Sequence, residues 1–384
     1  MRTVDRTIHP DRQTGLLIDR VLAAADSEQN RRRLARRRPT AIFGLEEPIC
    51  WTKLFGFDAN RYFSDPVFYF DQALKQKLWR WEHFPHDHNP ITATVPATLG
   101  FYPEYTLVGM DVSFTAEGVP VISKDHPLTR RPDLSLLNPV DFKTSGWMPR
   151  ILKWFDDLLA ISAGRIPVRL YEYTGIWWRG GLDLAIELRG YENIVIDVIE
   201  RPQFIHDLMR WLVEQRCRWY EQYYRHFGLK PQPVFIADDW INIPFITPSL
   251  FADFVLPRYL EIERFHGGIT SIHSCGNQVP VQSELLKIQS LQEMEISPWS
   301  DLQQSLANIP ASMPLRLTLH ANDVLYASAD AMRRQMETIA AACRGRSYLL
   351  ATSGLTPETG EAEGYITKIQ TWTQIADSIF GSGL

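Results

Sequence analysis

Cysteine is scarce in this chain: 384 residues contain four, Cys50, Cys217, Cys275 and Cys343, widely separated. Scattered thiols exclude a disulfide framework and point to a reducing compartment. Positive charge is not in excess either. A net charge of -5 gives no electrostatic reason to expect nucleic acid or an anionic membrane as the main partner. No apolar run reaches the roughly 20 residues of a membrane span. The first residues lack the basic, apolar, small-residue order of a secretory signal, so the expected location is the cytoplasm. Core-forming residues are plentiful: the apolar fraction is 45%, with 12 Trp and 19 Phe, enough for one large domain or two average ones.

The first ninety residues read as a helical extension. Leu16, Leu17, Val21 and Leu22 recur at helical spacing, which predicts a helix from about Thr14 to Arg38. Its arginine run, Arg31 to Arg38 before Pro39, reads as a solvated helix end, where positive charge is favourable. A second helix, capped at Ser64-Asp65, carries Phe70, Leu74 and Leu78 to about Trp81. His83, His86 and His88 follow in a proline-interrupted polar loop, with metal binding as the alternative.

From residue 91 to 384 the chain repeats a short strand, a polar break and an amphipathic helix. Strands are expected at Val168–Tyr173, Pro233–Ala237, Ile269–Cys275, Leu291–Ile296, Leu315–His320 and Tyr348–Ser353, with helices between them, including one over Leu182–Val198. This alternation indicates parallel pairing, and the number of units predicts the α/β class and a (β/α)8 TIM barrel. An open doubly wound sheet is the alternative, but no glycine-rich phosphate turn follows the early strands to favour it.

In such a barrel the C-terminal strand ends form the active-site face. There the sequence places Tyr173, the adjacent Asp238 and Asp239, His273, Cys275, Glu295, His320, Asn322, Asp323 and Ser353. His273 and Cys275 are two apart on a strand and so share a face. Imidazole and thiolate suit zinc, and Gly276 lets the backbone turn away. A buried structural Cys beside a hydrogen-bonded His is the competing reading of the pair alone. A metal there needs a further ligand, and Glu295 and His320 on the next two strands are the candidates. Asp238 or Asp239 would serve as general acid or base, or orient His273. Since adjacent residues face opposite ways, one of the two is expected at the mouth and the other as a cap. Trp177 and Trp178 would wall an apolar pocket, with Arg179 offering an anion contact, although core packing suits either Trp equally.

Three stretches resemble the uroporphyrinogen decarboxylase superfamily, which includes zinc-dependent methylcobamide:thiol methyltransferases. They are Gly181–Asn193 with its continuation Pro202–Leu208, Ala237-Asp238-Asp239 followed by Ile246–Pro257, and His273-Ser274-Cys275-Gly276-Asn277. The likeness covers roughly residues 90 to 380. It implies a β/α barrel, zinc at His273 and Cys275, a corrinoid carried by a partner protein, and a homodimer. The arginine-bearing N-terminal run of true decarboxylases has no counterpart in residues 1 to 100. The second zinc cysteine of the methyltransferases falls at Thr352-Ser353-Gly354, where this chain has Ser353. A neutral hydroxyl is a poor zinc ligand, so either Glu295 or His320 completes the site or the metal is weak or absent.

The resulting expectation is zinc-dependent transfer of a methyl group from a corrinoid to a thiol or other small nucleophile. Substrate contacts are expected from Tyr173, Trp177, Trp178, Arg179, Asn322 and Ser353. Two rivals use the same barrel. One is a metal-free decarboxylase or lyase, in which Asp238 or Asp239 handles a proton and Arg179 or Arg189 holds a carboxylate. The other is a non-catalytic binding protein.

Overall fold

A computed structural model describes residues 12–100, 102–170, 178–358 and 362–381. Eight short parallel strands organise it: β1 Thr40–Ala41, β2 Val95–Ala97, β3 Val168–Leu170, β4 Val234–Ala237, β5 Ile269–His273, β6 Met294–Ile296, β7 Leu315–Leu319 and β8 Tyr348–Thr352. A helix follows each strand, the longest being Pro66–His83 after β1, Met148–Ser162 after β2, Pro202–Phe227 after β3, Ala329–Ala342 after β7 and Ala362–Phe380 after β8. The first and last strands are neighbours, with Thr40 opposite Leu349 and Ala41 opposite Leu350.

Parallel ladders join β1 to β8, β8 to β7 and β7 to β6, and pair β2 with β3 and β4 with β5. Among the described residues these ladders do not link into one closed cylinder. Single bonds cross the seams: the Gln292 and Glu293 amides both reach the Thr270 carbonyl at 3.0 Å, and Gly180 N reaches Ala237 O at 2.7 Å. Ile236, Ile272, Ile296, Leu317 and Leu350 are buried between these strands and the helices. Each contributes about 1.5–3 kcal/mol by leaving water.

Two strands are not among those expected from the sequence. β1 falls inside the first ninety residues and pairs with the far end of the chain, and β2 begins at Val95. Two or three residues are too few to show alternation, so neither left a periodic signal. The long N-terminal helix divides into Arg12–Ala25 and Glu28–Ala35, where the Ser27 hydroxyl accepts from Asn30 N and starts a new helix. The helix expected over 182–198 also divides, into Gly181–Arg189 and Tyr191–Glu200. Gly190 between them takes φ +87°, which a side chain would strain.

The arginine run is not simply solvated. Arg33 is buried, donates to the carbonyls of Phe84, Pro85 and Asn89, and lies 4.4 Å over the Trp81 ring. Arg36 pairs with Asp377 at 2.8 Å. His86 and His88 share that carboxylate, so these two of the three histidines pin the last helix rather than gather round a metal. Among the described residues no helix is long and apolar enough to cross a membrane.

Candidate metal centre

The ends of β4 and β5 bring three donor atoms together. Cys275 Sγ lies 3.1 Å from Asp239 Oδ1 and 3.4 Å from His273 Nε2. His273 Nε2 is 3.7 Å from the same Asp239 oxygen. Zinc held tetrahedrally at about 2.0–2.3 Å sets neighbouring donors about 3.3–3.8 Å apart; two edges of this triangle fall in that range and the third, at 3.1 Å, is a little shorter, close to one face of such a site. Among the described residues these are the three His, Cys, Asp or Glu side chains that converge in this way.

Each donor is held from behind. Glu295 is 2% exposed, and its Oε2 lies 2.9 Å from His273 Nδ1 while its Oε1 accepts from the Thr318 hydroxyl at 2.9 Å. A carboxylate on Nδ1 keeps a proton there and orients the ring so that Nε2 faces Cys275 and Asp239, where it would offer its lone pair once its own proton is displaced by a metal. Burial disfavours the charged imidazole, yet Glu295 outweighs it and holds the His273 pKa well above its ordinary value. Burial likewise pushes the Glu295 carboxyl up, and His273 more than reverses that. Packing pushes the Cys275 thiol up, with His273 offsetting only part of the effect. Metal is one source of the positive charge that would ionise it.

The turns beyond the two strands are tied together. Asn242 Nδ2 donates to Asp239 O at 2.6 Å and to Ser274 Oγ at 3.0 Å. A Cβ on Gly276 would lie 2.0 Å from the Asn242 carboxamide oxygen, which explains a glycine directly after Cys275.

The adjacent acids divide. Asp238 is fully buried and accepts from Leu182 N at 3.2 Å, Asp183 N at 3.0 Å and the Tyr259 hydroxyl at 2.9 Å. It caps the helix Gly181–Arg189. Gly180 is required for this, since a Cβ there would sit 2.3 Å from the Asp238 Cβ. Asp238 thus lacks the access a proton-transfer role requires. Asp239 points the other way, and its Oδ2 accepts from Arg179 at 2.6 Å. Burial pushes the Asp239 carboxyl up, but Arg179 and then His273 bring it below the usual carboxylate range.

Arg179 is the hub of a carboxylate cluster. It reaches Asp183 at 2.9 Å and Glu104 at 3.5 Å, and it stacks 4.4 Å over the Tyr102 ring. Tyr105 donates to Asp183 at 2.7 Å. Burial raises the Glu104 pKa to about 7 despite the guanidinium nearby. Glu104, Asp183, Tyr102 and Tyr105 were missed in the sequence as site residues. Arg179 precedes the helix Gly181–Arg189, so its pairing with Asp183 left no helical spacing to read.

The remaining sequence candidates lie elsewhere. His320 is outside the triangle: its Nδ1 accepts from Asn322 N at 3.3 Å, and its ring meets Trp299 edge-on. Ser353 Oγ accepts from Ala321 N at 2.8 Å, bracing the turn after β7, where Asn322 starts the helix Asn322–Leu325. Glu295 stands behind His273 rather than beside it. Trp178 is fully buried, so it cannot wall the mouth, and its carbonyl accepts from Arg216 at 2.6 Å. Apolar surface and a nearby buried helix draw that indole inward. Tyr173 and Trp177 lie outside the described residues.

A cavity of about 270 Å³ adjoins the triangle and shares Asp239 with it, and Arg179 behind Asp239 also lines it. A larger cavity, about 490 Å³, lies between the helix Pro66–His83 and the segment 89–100. Its lining includes none of the three donors, so size and chemistry point to different places. Chemistry decides, since the cavity of about 270 Å³ touches the converging ligands through Asp239.

No family model matches the sequence, and no curated protein matches it. A methyltransferase from Methanosarcina mazei is similar in structure: TM-score 0.63 at 15% identity, covering 94% of this chain and 98% of that one. At that identity the likeness is one of fold. A structure described as a vitamin-B12 independent methionine synthase from Listeria monocytogenes overlaps less, with TM-score 0.35 at 12% identity over 64% of this chain and 73% of that one.

Proposed function

We propose that this chain is a zinc-dependent methyltransferase whose eight strands close as a (β/α)8 barrel, with Asp239, His273 and Cys275 as the zinc ligands. The methyl group passes from a corrinoid on a partner protein to a small thiol. The observation that carries this reading is the triangle of 3.1, 3.4 and 3.7 Å edges, backed by Glu295. An aspartate in the set also supplies negative charge that Ser353 cannot, which answers the missing second cysteine. The fold shared with the Methanosarcina mazei methyltransferase agrees with it.

Zinc, when bound, supplies positive charge that lowers the pKa of a thiol at its open position, giving a nucleophilic thiolate near neutral pH. His273 presents Nε2 because Glu295 keeps the Nδ1 proton. Cys275 donates toward Asp239 Oδ1 in the metal-free arrangement, and its proton would be released to solvent as the thiolate takes up the metal. Arg179 fixes the other Asp239 oxygen and holds that carboxylate in place.

The decarboxylase reading requires an arginine available to a substrate carboxylate. Arg179 already faces Asp183, Asp239 and Glu104, while Arg189 is buried on Asp197 and the carbonyls of Leu128 and Thr129. Neither has a free fork.

Purified protein is expected to hold about one zinc per chain and to form a thioether from methylcobalamin and a thiol, with both properties lost in Cys275→Ala. Metal-free protein, or turnover unchanged in that variant, would overturn the reading.

A further inference from the structure

The cavity beside the triangle has an unusual lining. Four aromatic side chains line it, those of Tyr102, Tyr105, Trp240 and Phe245. Asp183, Glu187 and Asp239 also line it, against one cation among the described residues, Arg179. That guanidinium is already shared between Asp183 and Asp239, at 2.9 and 2.6 Å. Glu187 has only Lys124, whose side chain is 69% exposed, and so exposed a partner contributes little screening of the cavity. Carboxylates therefore outnumber cations even when zinc takes up the charge of Asp239.

The aromatic wall is built rather than incidental. Trp240 stacks on Tyr191 with centroids 5.3 Å apart and meets Phe245 edge-on at 4.6 Å. Ring faces beside carboxylates attract cations and disfavour anions. A volume of about 270 Å³ suits a small molecule.

We propose that this cavity takes the ammonium group of a small aminothiol, which is the acceptor in the methyl transfer, with its sulfur directed at the Asp239, His273 and Cys275 triangle. This rests on the function proposed above. Asp239 belongs to both the triangle and the cavity, so a short aminothiol is the size that would touch both. In the transfer, a sulfur–carbon bond forms and the cobalt–carbon bond of the methyl donor breaks, its electron pair staying on cobalt. The thiol releases its proton, and the products are a thioether and the reduced corrinoid.

The test is calorimetric titration of zinc-loaded and metal-free protein with cysteamine, 2-mercaptoethanol, 3-mercaptopropionate and n-propylammonium, with zinc content measured on the same samples. Cysteamine should bind zinc-loaded protein at least about tenfold more tightly than 2-mercaptoethanol, with 3-mercaptopropionate weakest. Trp240→Leu and Glu187→Gln should each shrink that preference. Zinc-loaded protein that binds the anionic or neutral thiol as tightly as cysteamine overturns the aminothiol assignment and leaves the metal reading standing. n-Propylammonium, lacking sulfur, probes the cavity alone, and failure to bind metal-free protein overturns the cation pocket. Protein that takes up no zinc overturns the metal reading, and the aminothiol's role as acceptor with it, whatever the cation preference.

Discussion

The turns after β4 and β5 and those after β7 and β8 carry similar residue types, and they are built to opposite effect. At the first pair, Asp239, His273 and Cys275 turn donor atoms toward one another, and the bonds that hold them come from Glu295 and Arg179 behind. At the second pair, His320 and Ser353 give their acceptors to the backbone amides of Asn322 and Ala321. A polar residue at a strand end becomes a site residue when its partners leave a lone pair facing the mouth. It becomes a structural brace when they do not.

Breaking each side should show the difference. The largest effect is expected from His273→Ala and Cys275→Ala, which should abolish zinc retention after dialysis. His320→Ala and Ser353→Ala should change zinc affinity less than about twofold, since neither offers a metal a ligand. A chelator competition assay reads both; equal losses on the two sides would erase the distinction.

The second comparison is between Asp238 and Asp239. Asp238→Ala strands two amides at the helix N-terminus and the buried Tyr259 hydroxyl, and should cost about 2–4 kcal/mol in urea unfolding. Asp239→Asn should cost no more than about 1 kcal/mol, because Arg179 keeps Asp183 and Glu104. The same variant should weaken zinc binding, while Asp238→Ala acts through the fold.

Glu295→Gln keeps the shape but not the charge behind His273. Zinc affinity should fall about 10–100-fold, as when other carboxylates behind a histidine ligand are removed. An unchanged affinity would mean that Glu295 does not set the ring.

The smallest effect separates two buried histidines. Glu295 holds the His273 pKa up, whereas burial, with Arg216 adding to it, lowers that of His266 to about 2. Below an unfolded pKa of about 6.5 the unfolded state binds a proton that the folded state refuses. The His266 contribution is therefore full above that pH and is lost as pH falls through the window toward 2. Between pH 7 and 5.5 it should cost about 1 kcal/mol, and His266→Gln should flatten that slope in urea midpoints.

These contrasts also show how far the sequence could be read. Alternating strands and helices were legible from Val168 onward because each segment is long enough to show its period. β1 and β2 were not, being two and three residues long. His273 and Cys275 were legible as a pair from their spacing of two, although the strand expected to run to Cys275 ends at His273 and the cysteine follows in the bend beyond it. The third donor was not, since whether Asp238 or Asp239 faces the mouth depends on which of them the Gly180-Gly181 turn admits. Glu295 was found as a residue but misplaced in role, because sequence shows a carboxylate and not the direction from which it approaches a ring.

The central claim is the ligand set, and cobalt(II) substitution tests it most directly. The cobalt-loaded protein should show a thiolate-to-cobalt charge-transfer band at one equivalent of metal. That band should vanish in Cys275→Ser, shift and weaken in Asp239→Ala, and stay unchanged in Ser353→Ala. A band that survives Cys275→Ser, or one that Ser353→Ala removes while Asp239→Ala leaves it intact, would contradict the account.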